Sequence, residues 1–341
     1  MKTSVSEENL DSIKKKIANL STDQLLIVVD SRVWQLYSKQ LEEGLSSRKD
    51  HILFKAQEGE NTKSFEEFNS GLEYFLEKGV HRGAHLIAIG GGATSDFGGF
   101  IAASILRGIS WSVVPTTLLS MVDASIGGKT GINSKHGKNL IGAFHLPDNV
   151  WLDVNFLETL APGEMDSGKG EIIKYAFLSE TISALVKSEA PLKEIVQACA
   201  LEKQKIVEDD FRELGARISL NLGHTFGHAL EKIYDLSHGV AIFWGMALIF
   251  KVFDSAHLLE NLRLFEKGVK ADFGAPPWLN KTFPVDKIMD FVSKDKKRRK
   301  SENIEFVLID EIGSSKTRLV GIEDCRERLE GMKDELRSFT F

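Results

Sequence analysis

The sequence predicts an α/β chain, with a parallel sheet covered by helices on both faces in its N-terminal half and a mostly α-helical C-terminal half. Three observations carry this expectation. Short continuous apolar runs alternate with helix-period segments as far as about residue 155, the pattern of strand and helix units that build a parallel sheet. Beyond that point helical periodicity dominates. Three glycines, Gly90, Gly91 and Gly92, sit directly after one apolar run and before a helix, where backbone amides and a helix N-terminus can approach a phosphate.

Taken in order, "LLIVVD" at 25–30 reads as a buried strand, followed by a helix that Ser31 is placed to cap. "HILFKA" begins a second unit, whose helix opens at Ser64 with Glu67 three residues on, the spacing of a capping box. "HLIAIG", the glycine cluster and "FGGFIAASILRG" make a third, and "WSVVP" and "VWLDV" are further strands. The C-terminal half holds helical stretches at roughly 163–178, 191–209, 218–234 and 240–257, with late strands only at "IEFVLI" and "TRLVG". A chain of 341 residues exceeds the size at which one core usually stops growing. Two domains are expected, 1–158 and 159–341.

A formal charge of −6 gives no electrostatic footprint for nucleic acid, apart from the short run "KDKKRRK" at 294–300. Two cysteines without CxxC spacing fit a reduced compartment. No stretch reaches the roughly 18 apolar residues of a membrane span, so the protein is expected in the cytoplasm without membrane partners.

The chemistry-bearing residues cluster. Gly91 and Gly92 are candidates to receive a pyrophosphate, with a tight strand-to-helix turn as the lesser alternative. Asp30 ends the first strand, where a carboxylate can bond a ribose, and "GENTKS" at 59–64, with Glu60 and Lys63, either contacts the same ligand or caps a helix. "VPTTLLSMVDASIGGKTGIN" and "GKNLIGAF" concentrate Asp123, Lys129, Asn133, Lys138 and Asn139 in what read as glycine-broken loops suited to a phosphorylated or carboxylated substrate. Glu171 and Lys174 stand at i, i+3, ordinarily a surface ion pair. His224 and His228, at i, i+4, stack on one helix face, and His238 follows ten residues later. Two imidazoles and one remote carboxylate resemble a catalytic zinc set, while a polar core seam remains open as the alternative.

In this order, "GENTKS", "GGGATSDFGGFIAA", the "RG" of Arg107, "VPTTLLSMVDASIGGKTGIN", "GKNLIGAF", "GEIIKYA", "ARISLNLGHTFGHALE", the "HG" of His238 and "DKK" from Asp295 resemble the 3-dehydroquinate synthase family across roughly residues 30–313. The resemblance implies a Rossmann-like N-terminal domain binding NAD and a helical C-terminal domain, with the active site in the cleft and a homodimer as the assembly. It implies zinc or cobalt on Glu171, His224 and His238. Asp30, Glu60, Lys63, Gly91, Gly92, Asp96, Thr116, Thr117, Asp123, Lys129 and Lys138 would serve NAD. Asp123, Lys129, Lys174 and His228 would act in catalysis. Arg107, reaching a partner subunit, would join Lys129, Asn139, Lys203, Arg217, Asn221, His228 and Lys296 or Lys297 around the substrate, with Lys203 and Arg217 clamping its carboxylate. The implied reaction turns 3-deoxy-D-arabino-heptulosonate 7-phosphate into 3-dehydroquinate and phosphate by transient oxidation at C5, phosphate loss, re-reduction and aldol closure, a step of the shikimate pathway.

Three positions stand out. Val240 occupies the place where the family has glutamate after the third ligand, which puts the orientation of His238 in question. Ser95 replaces a glycine, and Gly170 is the small residue before Glu171. Cyclases of glucose 6-phosphate or sedoheptulose 7-phosphate, a metal-dependent polyol dehydrogenase and a non-catalytic relative are the competing readings.

Overall fold

The computed structural model describes residues 2–46, 48–253, 255–299 and 302–341, without the side chains of 294–299. The chain divides into two compact units, residues 1–161 with 200–212, and residues 162–199 with 213–341.

The first unit is built on six parallel strands in the order β1-β8-β5-β4-β2-β3. They are β1 (Ser4–Glu7), β2 (Gln24–Asp30), β3 (His51–Ala56), β4 (Ala84–Gly90), β5 (Ser110–Pro115) and β8 (Asn149–Leu152). Every residue of β4 is buried, which explains why the central strands read as unbroken apolar runs and not as alternation. Helices α1 (Leu10–Ala18), α2 (Ser31–Leu45), α3 (Phe65–Glu77) and α4 (Gly92–Ser104) connect them. The chain leaves β2 through α2 toward the edge strand β3, then returns through α3 to β4 and continues through α4 to β5. Right-handed crossovers therefore put α2 on one face and α3 and α4 on the other. The two directions part between β2 and β4, a topological switch point where α/β sheets bind ligands beyond the carboxyl ends of their strands. Asp30 and Gly90 are the last residues of those two strands.

Several local expectations are corrected. Asp30, not Ser31, caps α2, accepting from the amides of Arg32 at 2.8 Å and Val33 at 3.3 Å. Ser64 does cap α3 through the Glu67 amide, but Glu67 turns away and holds the backbone and side-chain nitrogens of Gln57 at 3.0 and 2.9 Å. The segments read as loops around Lys129 and Asn139 form an antiparallel hairpin, β6 (Lys129–Ser134) and β7 (Gly137–Phe144). Facing glycines hid it. A Cβ on Gly142 would lie 2.0 Å from the Thr130 carbonyl oxygen and one on Gly131 2.5 Å from that of Ile141, so the positions that would show side-chain alternation have none.

Among the described residues the second unit is helical apart from one antiparallel hairpin, β9 (Asn303–Glu311) and β10 (Ser314–Gly321). Its helices are α5 (Pro162–Leu178), α6 (Glu180–Lys187), the first turns of α7 (Leu192–Asp209), α8 (His224–Tyr234), α9 (His238–Val252), α10 (Leu259–Gly268), α11 (Val285–Arg299), α12 (Ile322–Gly331) and α13 (Lys333–Arg337). Twelve of the fifteen residues of α9 are buried, which makes it the central helix, apolar on all sides. The stretch expected as one helix over 218–234 is instead a 3₁₀ segment, Ala216–Asn221, a break, and α8. Gly223 makes the break with a φ of 81°, a left-handed conformation that only glycine adopts without strain. Among the described residues no helix is long and apolar enough to cross a membrane.

Candidate metal centre and dinucleotide cradle

Three helices of the second unit bring three ligand-type side chains together. Glu171 comes from the middle of α5, His224 is the first residue of α8 and His238 the first of α9. Their donor atoms all lie within 4.8 Å of one another. Glycine seams allow this approach. A Cβ on Gly170 would meet the Gly239 carbonyl oxygen at 2.3 Å, and one on Gly239 the Asp166 oxygen at 2.2 Å, so α5 and α9 touch backbone to backbone beside two of the three residues. Between α8 and α9 a Cβ on Gly245 would sit 2.1 Å from the Gly223 oxygen. Gly170 is thus a packing requirement in this chain.

The rings are aimed from behind. His224 Nδ1 donates to the Leu222 carbonyl at 3.1 Å, which leaves Nε2 3.5 Å from Glu171 Oε1. His238 Nδ1 donates to Glu231 at 3.3 Å, and its Nε2 lies 3.0 Å from the same Glu171 oxygen. A carbonyl or carboxylate on Nδ1 fixes the tautomer that offers Nε2 to a metal. Burial pushes the His224 imidazole down to about 3 and keeps it neutral. Burial also opposes a charge on His238, but its hydrogen bonds to Glu171 and Glu231 outweigh that and raise it to about 9. One buried carboxylate oxygen with two imidazole nitrogens converging on it is a donor set that fits zinc or cobalt.

Lys174 corrects another expectation. It pairs with Glu171 Oε2, and both side chains are 1% exposed, so the i, i+3 pair is no surface ion pair. His228 is exposed beside the cluster, its ring centroid 5.2 Å from that of His224 and 6.1 Å from that of His238. Arg217 is 2% exposed on the 3₁₀ segment, and Asn221 donates to Glu213 at 3.1 Å.

In the first unit Asp30 is 6% exposed at the switch point. Besides its cap bonds it accepts from the Gly59 amide at 3.1 Å and Thr94 Oγ1 at 3.4 Å. One carboxylate thus ties together the end of β2, the first turn of α4 and the "GENTKS" turn. Gly91 is the N-cap of α4, and a Cβ there would crowd Thr117 Cγ2 at 2.9 Å. This is a bare backbone cradle at a helix N-terminus, the form of an anion site. Thr116 is buried next to Thr117, whose hydroxyl accepts from the Ser120 amide at 3.2 Å. Nearby, Lys63 is 3% exposed and bonds Asp96 and the Asn139 side chain. Burial raises Asp96 to about 6 against that lysine's pull. Asn133 links Glu60 to the backbone of Asn139. Lys203 donates to the Asp123 carboxylate and carbonyl at 2.7 and 2.6 Å. Lys129 and Lys138 are exposed on the hairpin. Arg107 is exposed beside Leu106 with both in left-handed backbone, φ 69° and 52°. Lys203 and Arg217 belong to different units. Lys296 and Lys297 fall outside the described residues.

Family models for the N-terminal and C-terminal parts of 3-dehydroquinate synthase match residues 53–167 and 168–298. A 3-dehydroquinate synthase of Staphylococcus epidermidis is 40% identical over 281 residues, 76% of this chain and 78% of that one. The chain belongs to the 3-dehydroquinate synthase family. Among solved structures, 2-epi-5-epi-valiolone synthase from Streptomyces hygroscopicus subsp. jinggangensis, with NAD+ and Zn2+ bound, superposes with a TM-score of 0.80 at 23% identity over 98% of each chain. A 2-deoxy-scyllo-inosose synthase complexed with carbaglucose-6-phosphate, NAD+ and Co2+ gives 0.79 at 22% over 96% of each. These two establish the shared fold, a Rossmann-like unit followed by a helical one.

Within this family fold, sequence reasoning passed over Glu213, Glu231 and Asn133's bond to Glu60. Glu231 was detectable, since it lies seven residues after His224 and three after His228, on the same helix face. The others become visible only once the hairpin and the 3₁₀ segment are placed.

Proposed function

We infer that this chain converts 3-deoxy-D-arabino-heptulosonate 7-phosphate into 3-dehydroquinate and phosphate. The observation that carries this is the convergence of Glu171, His224 and His238 in a chain whose two halves both match the family. When bound, NAD+ would supply reversible hydride transfer at C5, and a zinc or cobalt ion held by Glu171, His224 and His238 would supply Lewis-acid polarisation of the substrate hydroxyl, so the net change is loss of phosphate with ring closure.

In this reading residues 1–158 hold the dinucleotide and 159–341 the metal and most substrate contacts. The Gly91 and Gly92 amides receive the pyrophosphate and Asp30 the ribose end. Glu60, Lys63, Asp96, Thr116, Thr117, Asp123, Lys129 and Lys138 surround the remainder. Glu171, His224 and His238 hold the metal. Lys174, next to Glu171, exchanges a proton with the substrate hydroxyl. A buried ion pair is seldom kept for stability alone, because desolvation offsets its attraction, and this supports a working role for Glu171 and Lys174. His228, Asn139, Asn221 and Lys129 take the phosphate, with Lys296 or Lys297. Lys203 and Arg217 take the carboxylate through charge-assisted bonds that hold one end of the substrate while the middle reacts. Arg107, on its strained turn, serves the site of a second copy in a homodimer, and the enzyme works in the cytoplasm.

The test is a substrate panel on metal-loaded protein. Heptulosonate 7-phosphate should release phosphate and give dehydroquinate, and Arg217→Gln should raise its KM at least tenfold. Turnover of glucose 6-phosphate or sedoheptulose 7-phosphate in its place, with Arg217→Gln without effect, would instead assign one of the non-carboxylated cyclase activities.

A further inference from the structure

We propose that Glu231 is a positioning residue for the metal centre, holding His238 in the tautomer and orientation that present Nε2 to the ion. The inference rests on the reading of Glu171, His224 and His238 as metal ligands and adds a residue to it. The two histidines are oriented by different means. His224 Nδ1 is fixed by the Leu222 carbonyl, a backbone group built into the turn at Gly223. His238 begins α9, whose first turn contains no acidic residue, with Val240 two positions on. Its Nδ1 partner comes from the neighbouring helix instead, the Glu231 carboxylate at 3.3 Å.

Helix geometry explains why Glu231 can do this. Seven residues are nearly two turns, so Glu231 lies on the face of α8 that carries His224. The backbone contact at Gly223 and Gly245 holds α8 against α9. One helix therefore supplies the first histidine directly and steers the second through Glu231. A carboxylate on Nδ1 also increases the basicity of Nε2 and strengthens its bond to a metal. The Glu231 side chain is 19% exposed and largely covered, so the near-isosteric Glu231→Gln variant, which preserves packing, separates its charge from its bulk. The arrangement also answers the question raised by Val240, since the outer partner of His238 is supplied from another element.

The experiment is a cobalt titration of the full, metal-stripped chain, followed by visible absorption, for the unaltered protein, Glu231→Gln and Glu231→Ala. The expected order of affinity is unaltered, then Gln, then Ala, with the alanine variant about 10–100-fold weaker than the unaltered chain. Absorption band positions should stay unchanged, because the three ligands remain, and the metal-free melting temperature of Glu231→Gln should agree closely with that of the unaltered protein. Alanine affinity within twofold of the unaltered protein overturns the proposal while leaving the ligand set intact. Failure of the unaltered chain to bind cobalt, or cobalt affinity left unchanged by Glu171→Gln, overturns the ligand reading together with it. A second measurement needs no variant. In the zinc-loaded protein, nitrogen-15 histidine spectra should show His238 protonated at Nδ1 and metal-bound at Nε2, and a metal on Nδ1 would refute the role of Glu231.

Discussion

At the residue scale the roles proposed for the buried pair Glu171 and Lys174 predict that binding and chemistry can be separated. Glu171→Gln should abolish zinc binding and activity together. Lys174→Met should retain zinc but lower kcat by about 10²–10⁴, the usual range for a lost acid–base group, as metal content and steady-state rates on the same preparation would show. The sequence supplied the spacing of this pair but not its burial, because burial is decided by the helices packed around α5. His85 gives a pH test in the other unit. Burial pushes its imidazole down to about 4, with Asp148 pulling weakly the other way, and its Nε2 lies 2.9 Å from the Ser112 hydroxyl. The unfolded chain takes up this proton below about 6.5 and the native protein only near 4. Neutral His85 thus contributes stability that is full above pH 6.5 and is lost as pH falls toward 4. His85→Gln should reduce the drop in unfolding free energy between pH 7 and pH 5 by about 2 kcal/mol, read from urea midpoints at the two pH values. An unchanged drop would exclude this account of His85.

At the element scale the site depends on three helices that touch through glycine. Gly170→Ala places a methyl group 2.3 Å from a backbone oxygen that cannot rotate away. It should cost about 1–3 kcal/mol of stability, as overpacking does, and weaken zinc binding, because α5 and α9 must separate beside Glu171 and His238. Denaturant midpoints and metal titration of this one variant check both effects. The parallel strands, the C-terminal helices and the i, i+4 histidines were legible because periodicity and spacing encode them. The break at Gly223 was not, since apolar residues continue at helical period through it. Nor was the β6 and β7 hairpin, whose paired glycines leave no alternation to read. The cap at Asp30 was misassigned to Ser31 because both are good caps and only the position where the strand ends distinguishes them.

At the scale of the whole molecule the central claim is that a dinucleotide-binding unit and a metal-binding unit carry out a reaction with no net oxidation. Zinc at about 100 times its Kd should stabilise the native chain by about 2.7 kcal/mol, a shift in thermal unfolding that Glu171→Gln should lack. The most direct measurement is the amount of dehydroquinate formed per NAD+ supplied, on zinc-loaded protein given heptulosonate 7-phosphate and a small, known quantity of NAD+. Product should form in many-fold excess over NAD+, with one phosphate released per product and no accumulating NADH. One NADH formed per substrate consumed, with phosphate retained, would contradict this and mark the protein as a dehydrogenase built on the same fold.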